Sequence, residues 1–373
     1  MRVYCVAELL TMLGPMVVPG EGDLERWKSV IAPSMQPDGN GGAVSLFRAT
    51  PTLKQGVAGE YASSVLRGTS ENGIDNWKVD PEPLEMDKAG DIYGDIEGLG
   101  DEDGGLQRIP EGSLPEEFDE YKWAITSNTA ALKGEEDPAV RAAIILANRD
   151  LTHFKRYPRV LESFDPTTWR IKGLNIDPKT LSDGSISYSY TSGSELPGSR
   201  IVRGVGKFID LLGVGEHPVT SEKVSQAFVE NALIIPPAGN HRGVESGPQK
   251  MYIEFEGTTY PAQVFTGADM RPYKNRSWVP GLALFDPEDE SRVTHVKHHL
   301  IQAKNVYNPS QSVVKRVAFA KSNIVRGDEF IIGASVGDLE PRIFIGSVKH
   351  IMRTMLSRRN GKDVYAYNPP KPY

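Results

Sequence analysis

Apolar and polar residues alternate most regularly in the second half of the chain. Residues 184–194 place Ile186, Tyr188 and Tyr190 on one side and mainly serines on the other, which is the period of a half-buried strand. Residues 250–267 repeat this alternation on both sides of Gly257 and predict a β-hairpin that turns at that glycine. Turn-bounded apolar runs predict further strands over residues 41–51, 312–321, 327–337 and 341–352.

Apolar residues at helical spacing are more common in the first half. Residues 138–157 give the clearest pattern, because Pro138 can open a helix, Val140 and Ile144 share one face, and Pro158 ends it. Similar patterns predict helices over residues 3–13, 20–33, 57–68, 116–132 and 220–234.

One long stretch, residues 69–112, shows little periodicity of either kind. It is predicted to be an irregular loop, because typical connections have only about 4–6 residues. Residues 71–120 contain 17 acidic and 3 basic side chains, whereas residues 291–373 contain 14 basic and 5 acidic ones. This separation of charge favours contact between copies of the chain. The alternative is two solvated surfaces that never meet.

Together these patterns predict an α+β fold. Residues 1–164 are expected to form a mixed region with short helices and the acidic irregular loop 69–112. Residues 165–373 are expected to form a β-rich domain, sandwich-like or barrel-like, with one inserted helix and a basic C-terminal tail. No internal repeat of fixed period is found.

Composition narrows the class of protein. The chain has 373 residues, of which 39% are hydrophobic and 24% charged, so global disorder is excluded. A single cysteine, Cys5, excludes an intrachain disulfide. No apolar run approaches about 18 residues, so no membrane-spanning helix is expected.

The acidic stretch from Asp91 to Gly105 resembles a calcium-binding loop only superficially. An EF-hand needs an acidic residue at position 5 and glycine at position 6, and counting from Asp101 these positions hold Gly105 and Leu106. No metal site is therefore predicted. The stretch is predicted to contact another copy of the chain through Asp91, Asp95, Glu97, Asp101, Glu102 and Asp103.

Basic side chains of the C-terminal quarter are predicted to contact nucleic acid or a neighbouring subunit. Their interleaving with Tyr365 and Tyr367 suits a phosphate backbone or single-stranded nucleic acid. The candidate contact residues are Lys315, Arg316, Arg353, Arg358, Arg359 and Lys362. The alternative is an amphipathic helix over residues 347–359 whose basic side chains are solvated and whose inward face is formed by Val348, Ile351, Met352 and Met355.

Other motifs are incomplete. His295 and His299 could share a helix face as metal ligands do, but no third ligand lies near them in sequence. Glu254 and Glu256, with Lys250 nearby, resemble the carboxylate set of a nuclease, and they equally resemble the solvent side of a strand. No nucleophile elbow or phosphate-binding loop is found, so no catalytic residue and no cofactor is predicted.

From these observations the sequence is interpreted as a self-assembling structural protein of the viral coat or capsid type, not an enzyme. The expected partners are copies of itself, other virion proteins and nucleic acid, without a membrane, and the expected location is the virion or the host cytoplasm. Two alternatives stay open. One is a metal-dependent nucleic-acid-processing enzyme that uses Glu254 and Glu256. The other is a nucleoprotein, which the net charge of −7 disfavours.

Overall fold

A computed structural model describes the chain over residues 9–50, 64–86, 101–129, 141–160, 171–192, 200–215, 233–235, 241–269, 277–302, 306, 316–337, 340–357 and 364–366. Strands dominate these residues, and most of them belong to antiparallel sheets that follow one another along the chain.

Three of the sheets have four strands each, and we call them blades 1, 2 and 3. Blade 1 contains β2 (Ser29–Pro37), β3 (Ala43–Thr50), β4 (Ser64–Ser70) and β5 (Lys78–Val79). Blade 2 contains β6 (Asp101–Arg108), β7 (Tyr121–Thr129), β8 (Arg141–Asn148) and β9 (Phe154–Val160). Blade 3 contains β10 (Ile171–Thr180), β11 (Ile186–Ser192), β12 (Arg200–Gly206) and β13 (Leu233–Ile235).

The other strands form one continuous sheet that divides into blades 4 and 5. Blade 4 contains β14 (His241–Ser246), β15 (Met251–Phe255), β16 (Thr258–Asp269), β17 (Ser277–Phe285), β18 (Val293–Lys297) and β22 (Val364–Ala366). Blade 5 contains β19 (Arg316–Arg326), β20 (Glu329–Val336), β21 (Glu340–Ser347) and the N-terminal β1 (Thr11–Pro15). The two blades are joined by a short parallel pairing of β17 with β19.

The inner strands of the blades close a ring. Strand β2 packs against β6, β6 against β10, β10 against β14, β15 against β19, and β19 against β2. Strands β14 and β15 together form the inner strand of blade 4, because both pair with β16. The ring is sealed by β1, which pairs with β21 and so completes the last blade with the first strand of the chain. The architecture is a five-bladed β-propeller.

Each interface between blades contains its own apolar core. Five separate buried clusters lie at the five junctions, between blades 5 and 1, 1 and 2, 2 and 3, 3 and 4, and 4 and 5. The core between blades 4 and 5 also covers the helix α2 (Val348–Leu356), whereas the helical turn α1 (Phe208–Leu211) packs into the core between blades 2 and 3. Strands covered by a blade on either side bury both of their faces.

In three blades an aromatic ring on the second strand lies against a glycine on the third. Tyr188 is the register partner of Gly204, and Phe265 is the partner of Gly281. Phe47 in blade 1 lies over Gly68, where a Cβ atom would be 2.6 Å from the ring. The glycines leave room for the rings, so the pairing is a repeated packing device of the propeller.

The prediction of an α+β fold with a helical N-terminal region is wrong. The segment 138–157 forms β8 and β9, the segment 116–132 contains a 3-10 turn at Glu116–Phe118 followed by β7, and the segment 20–33 contains a 3-10 turn at Gly22–Leu24 and the start of β2. Residues 64–68 belong to β4, and residues 11–13 to β1. Most of the helix predicted over residues 220–234 cannot be compared, because residues 216–232 lie outside the described residues. The error is physical: β8 is buried on both faces, so its apolar run has no period-two signal.

The strand predictions of the second half are confirmed, although the sheets form neither a sandwich nor a barrel. The hairpin of β15 and β16 turns at Glu256 and Gly257, both with positive φ, as a two-residue turn requires. Strands β11 and β20 lie within the predicted segments, as does β3 in the first half of the chain. Strand β19 begins within the segment 312–321 and continues to Arg326. The segment 341–352 is strand only as far as Ser347 and then becomes α2.

The amphipathic helix proposed for the basic tail exists as α2. Val348, Ile351, Met352 and Met355 are its buried residues, as the spacing predicted. The Ser347 hydroxyl caps it by accepting a hydrogen bond from the backbone N–H of His350.

The stretch 69–112 is not one irregular loop, because β5 and β6 lie within it. The expected boundary at residues 164 and 165 falls between β9 and β10, where blade 2 is followed by blade 3.

Alkaline pH should destabilise blade 3. Tyr188 and Tyr190 stack in the core, and burial raises the pKa of Tyr188 to about 12 and also raises the pKa of Tyr190. Because these folded values exceed the unfolded value near 10, the stability is intact below about pH 10 and falls as the pH rises toward 12. We expect Tyr188→Phe to reduce the pH slope of the free energy of unfolding by up to about 1.4 kcal/mol per unit.

Urea unfolding between pH 9 and pH 12 measures this slope, with Tyr260→Phe on β16 as the control. Equal slopes for the wild type and Tyr188→Phe would contradict the prediction.

Candidate functional site

An amide side chain recurs on the inner strand of each of the five blades, at intervals close to the length of one blade. The residues are Gln36, Gln107, Asn175, Gln249 and Asn323. Each donates hydrogen bonds to an inner strand of another blade. In blade 1, Ser34 accepts a bond from the Leu106 N–H, and Gln36 donates one to the Leu106 carbonyl.

Blades 2, 3 and 4 are joined by Gln107 and Asn175. The Gln107 amide donates to the Leu174 carbonyl at 2.8 Å and to Asn175 Oδ1 at 3.1 Å, and its oxygen accepts from the Ile176 N–H at 2.7 Å. The Asn175 amide donates to Ser246 Oγ at 2.5 Å and to the Gly247 carbonyl at 2.6 Å. Gln107 and Asn175 are only 2% and 3% exposed, so these bonds are made away from bulk water.

Gln249 reaches farther than the other amides. Its oxygen accepts from the Arg108 N–H at 3.2 Å, and its nitrogen donates to the Arg108 carbonyl at 3.1 Å and to the Ile176 carbonyl at 2.8 Å. Its own carbonyl accepts from Asn323 at 3.0 Å. Blade 4 adjoins blades 3 and 5 in the ring, so the bond from Gln249 to Arg108 in blade 2 passes the inner edge of blade 3 and joins two blades that are not neighbours.

Side-chain amides therefore connect the inner strands of blades 2, 3, 4 and 5 at the level of Gln249. We call this layer of hydrogen-bonded amides the floor. We call the end of the propeller where the inner strands begin the entry face and the end where they finish the exit face.

Two long stretches of sequence separate strand ends that lie on the entry face. Strands β3 and β4 are separated by residues 51–63, and β5 and β6 by residues 80–100. Several connections on the exit face are tight turns, such as Glu256–Gly257 and Gly327–Asp328. Because long loops on a rigid scaffold carry function more often than tight turns, the entry face is the candidate site.

Charged residues lie on three of the inner strands. Asp101, Glu102 and Asp103 open β6, and Arg316 opens β19. Glu245 lies on β14, half-buried and four residues before Gln249. Acidic and basic residues that are far apart in sequence thus belong to the inner strands of blades 2, 4 and 5.

A glycine lies two residues before three of the axial amides, at Gly105, Gly173 and Gly247. A Cβ at Gly105 would be 2.8 Å from Thr126 Oγ1, and a Cβ at Gly173 would be 3.1 Å from the Ser246 carbonyl. Gly173 also has a positive φ of 60°. The tripeptides Gly-Leu-Gln, Gly-Leu-Asn and Gly-Pro-Gln form an internal repeat that the sequence does not reveal by itself, because three residues in about seventy give too weak a signal.

A buried ion pair lies next to the floor on the exit side. Lys250 Nζ is 2.6 Å from Asp177 Oδ2 and 3.6 Å from Glu290 Oε2, and the Lys250 side chain is only 4% exposed. The Tyr252 hydroxyl donates to Glu290 at 3.0 Å. Burial and the charge of Glu290 raise the pKa of Tyr252, so its hydroxyl stays protonated and acts as a donor.

Of the remaining candidates from the sequence, one lies within the described residues. Arg353 is exposed on α2, whereas Lys315, Arg358, Arg359 and Lys362 lie outside the described residues, as do Asp91, Asp95 and Glu97. Contact of these residues with nucleic acid or with another copy stays a prediction.

The proposed nuclease and metal motifs gain no support from the fold. Glu254 is exposed on β15, and Glu256 lies in the hairpin turn. His295 lies on β18, where burial lowers its pKa. Within the described part of the chain, no group of three metal-ligating side chains comes together, and no helix is long and apolar enough to span a membrane.

Comparison with known proteins finds relatives in structure but not in sequence. No family model matches the chain, and no curated protein matches it. The β-1,2-mannobiose phosphorylase from Listeria innocua superposes with a TM-score of 0.57 at 15% identity, covering 94% of each chain. A glycosyl hydrolase from Bacteroides ovatus gives 0.59 at 15% identity, covering 89% of this chain and 90% of that one.

A third structure comes from the GH130 family of mannoside phosphorylases, which contains glycoside hydrolases that target β-1,2-mannosidic linkages in Candida mannan. Its TM-score is 0.62 at 16% identity, and 92% of this chain and 95% of that one are covered. The chain has the fold of these glycoside-active proteins. At such identities the likeness establishes the fold alone.

These likenesses overturn the interpretation as a viral coat protein without enzymatic activity. The fold is shared over nearly the whole length with glycoside hydrolases and mannoside phosphorylases, and the virion location has no support among them. The alternatives of a nuclease and a nucleoprotein are equally unsupported.

Proposed function

We propose that the chain cleaves a mannoside at the entry face, either by hydrolysis or by phosphorolysis. The observation that carries this proposal is the coverage of about nine-tenths or more of both chains in the superpositions with glycoside-active enzymes. The whole propeller corresponds, so the likeness is not confined to one blade.

The reaction requires a proton donor and a nucleophile on opposite sides of the glycosidic carbon. A carboxylic acid donates its proton to the glycosidic oxygen while the bond from that oxygen to the anomeric carbon breaks. In hydrolysis with inversion, a second carboxylate takes a proton from the attacking water. In phosphorolysis a phosphate oxygen bonds to the anomeric carbon, and cationic side chains hold the phosphate.

The charged residues of the entry face supply these types of group. One of Asp101, Glu102 and Asp103 on β6 is assigned as the acid, and Glu245 on β14 as the second carboxylate. Arg316 on β19 has the planar donor geometry suited to a phosphate.

The test is incubation of the purified chain with β-1,2-mannobiose in the presence and absence of inorganic phosphate. Free mannose without phosphate indicates hydrolysis, and mannose 1-phosphate that depends on phosphate indicates phosphorolysis. If neither product forms from β-1,2-mannobiose or from a panel of other β-mannosides, the proposal is contradicted.

Substitution of the acid should lower the rate by at least about 100-fold, which is typical of losing a general acid. Asp101→Asn, Glu102→Gln and Asp103→Asn are compared singly, with Glu254→Gln as a matched control because Glu254 is exposed on β15. If all three variants keep the rate of Glu254→Gln, the assignment of the acid to β6 is wrong.

A further inference from the structure

We propose that Gln249 is a positioning residue that fixes blade 2 relative to blade 4, two blades that are not neighbours in the ring. The expected effect of Gln249 on catalysis rests on the proposed function. The hydrogen bonds between Gln249 and Arg108, which we call the clamp, are a property of the fold and can be tested without any activity.

The bonding pattern of Gln249 is that of a strand partner. Its side-chain amide both accepts from the Arg108 N–H and donates to the Arg108 carbonyl, as a paired residue in a sheet would. Arg108 is the last residue of β6 and pairs with Trp123 on the other side of the strand. Gln249 therefore holds β6 by its inner edge, which has no strand partner at the axis.

The same segment is held on three sides. The Gly247 carbonyl accepts from Asn175 in blade 3, the Gln249 carbonyl accepts from Asn323 in blade 5, and Lys250 is paired with Asp177 in blade 3. A Cβ on Gly247 would meet the Val264 backbone, so this segment lies directly on β16. The amide of Gln249 consequently extends from a rigid base, and its position is transmitted to blade 2.

The two strands joined by this clamp are those that bear the carboxylates of the entry face. Asp103 lies five residues before Arg108, and Glu245 lies four residues before Gln249. At about 3.3 Å per residue, the acidic positions are roughly 13–16 Å along the strands from the clamp. Over that distance a tilt of about 5° displaces a carboxylate by about 1 Å, and such a displacement can lower a rate by about 100-fold.

The separation of the two carboxylates also decides which nucleophile fits between them. A residue that fixes the two strands thus affects the rate of the chemical step more than it affects binding of the sugar. We infer that loss of the Gln249 amide lowers kcat while KM changes little.

The experiment compares Gln249→Met with Gln36→Met. Methionine matches glutamine in length but makes none of these hydrogen bonds. Gln36 also donates to a carbonyl of blade 2, at Leu106, but it does so from the adjacent blade 1. With β-1,2-mannobiose we expect a fall in kcat of about 10- to 100-fold for Gln249→Met with KM within threefold, and near wild-type values for Gln36→Met.

A distance measurement separates failure of the clamp from failure of the proposed function. Nitroxide labels are attached through Lys122→Cys on β7 and Glu254→Cys on β15, both exposed, in a Cys5→Ser background. Pulsed dipolar spectroscopy measures the distance between the two labels. The distribution of this distance should be narrow in the labelled chain that retains Gln249 and in its Gln36→Met variant, and broader or shifted in its Gln249→Met variant.

An unchanged distribution in Gln249→Met overturns the clamp, whatever the activity. A broadened distribution in a chain that turns over no mannoside supports the clamp and retires the proposed function. Equal losses of kcat in Gln249→Met and Gln36→Met would show that the hydrogen bonds between Gln249 and Arg108 have no specific role.

Discussion

Gly281→Ala should destabilise the propeller by about 3 kcal/mol or more, because blade 4 has no space for one additional methyl group. A Cβ at this position would overlap the Phe265 ring and lie 2.8 Å from the Lys297 carbonyl. Phe265 is fully buried on the neighbouring strand β16, in the core between blades 3 and 4. Neither the ring nor the backbone of β18 can move without disturbing that core.

Urea unfolding of Gly281→Ala measures this loss, and Gly14→Ala is the matched control. Gly14 lies on β1, and a methyl group there would have no other atom within 4 Å, so its substitution should be close to neutral. A second variant, Gly281→Ala with Phe265→Leu, should recover part of the stability because the smaller side chain vacates the overlap. If Gly281→Ala unfolds at the same urea concentration as Gly14→Ala, the aromatic–glycine packing is not a structural requirement.

Lys250→Met should destabilise the chain by about 3–5 kcal/mol at neutral pH, because it leaves a buried carboxylate without its cation. The Asp177 side chain is only 7% exposed and lies 2.6 Å from the ammonium group. The ammonium also lies 4.7 Å from the centre of the Phe285 ring, so little water is available to replace it. Methionine keeps the length of the side chain and therefore isolates the effect of the charge.

The double variant Lys250→Met with Asp177→Asn should be more stable than Lys250→Met alone, since the uncompensated charge is removed. Glu82→Gln provides the surface control: its partner is Arg26, both side chains are largely exposed, and the expected loss is below about 1 kcal/mol. Equal losses in the free energy of unfolding for Lys250→Met and Glu82→Gln would show that the buried ion pair contributes no more to stability than the exposed one.

The candidate site could be predicted from the sequence only in fragments. The acidic residues Asp101 to Asp103 and the basic Arg316 were identified as contact residues, but nothing in their neighbourhoods indicates that they share one face of a ring. Gln249 was not identified at all. A buried amide has no signature in a single sequence, and its partner Arg108 is 141 positions away.

The sequence by itself determined the elements whose two faces differ. The β15–β16 hairpin and α2 each have one solvated and one buried side, so the periodicity of their apolar residues reports their conformation. It also determined that the chain folds without a disulfide and that its charge is unevenly distributed.

Only the tertiary structure decided that β8 is a strand, that five blades close into a ring through β1, and that the charged residues of β6, β14 and β19 belong to the inner strands of three blades. The physical reason is that each blade covers both faces of its neighbour's strands, which removes the alternation on which strand prediction depends. Closure and the bond from Gln249 to a blade that does not adjoin its own depend on contacts between residues remote in the chain, and those contacts follow from packing rather than from any local pattern.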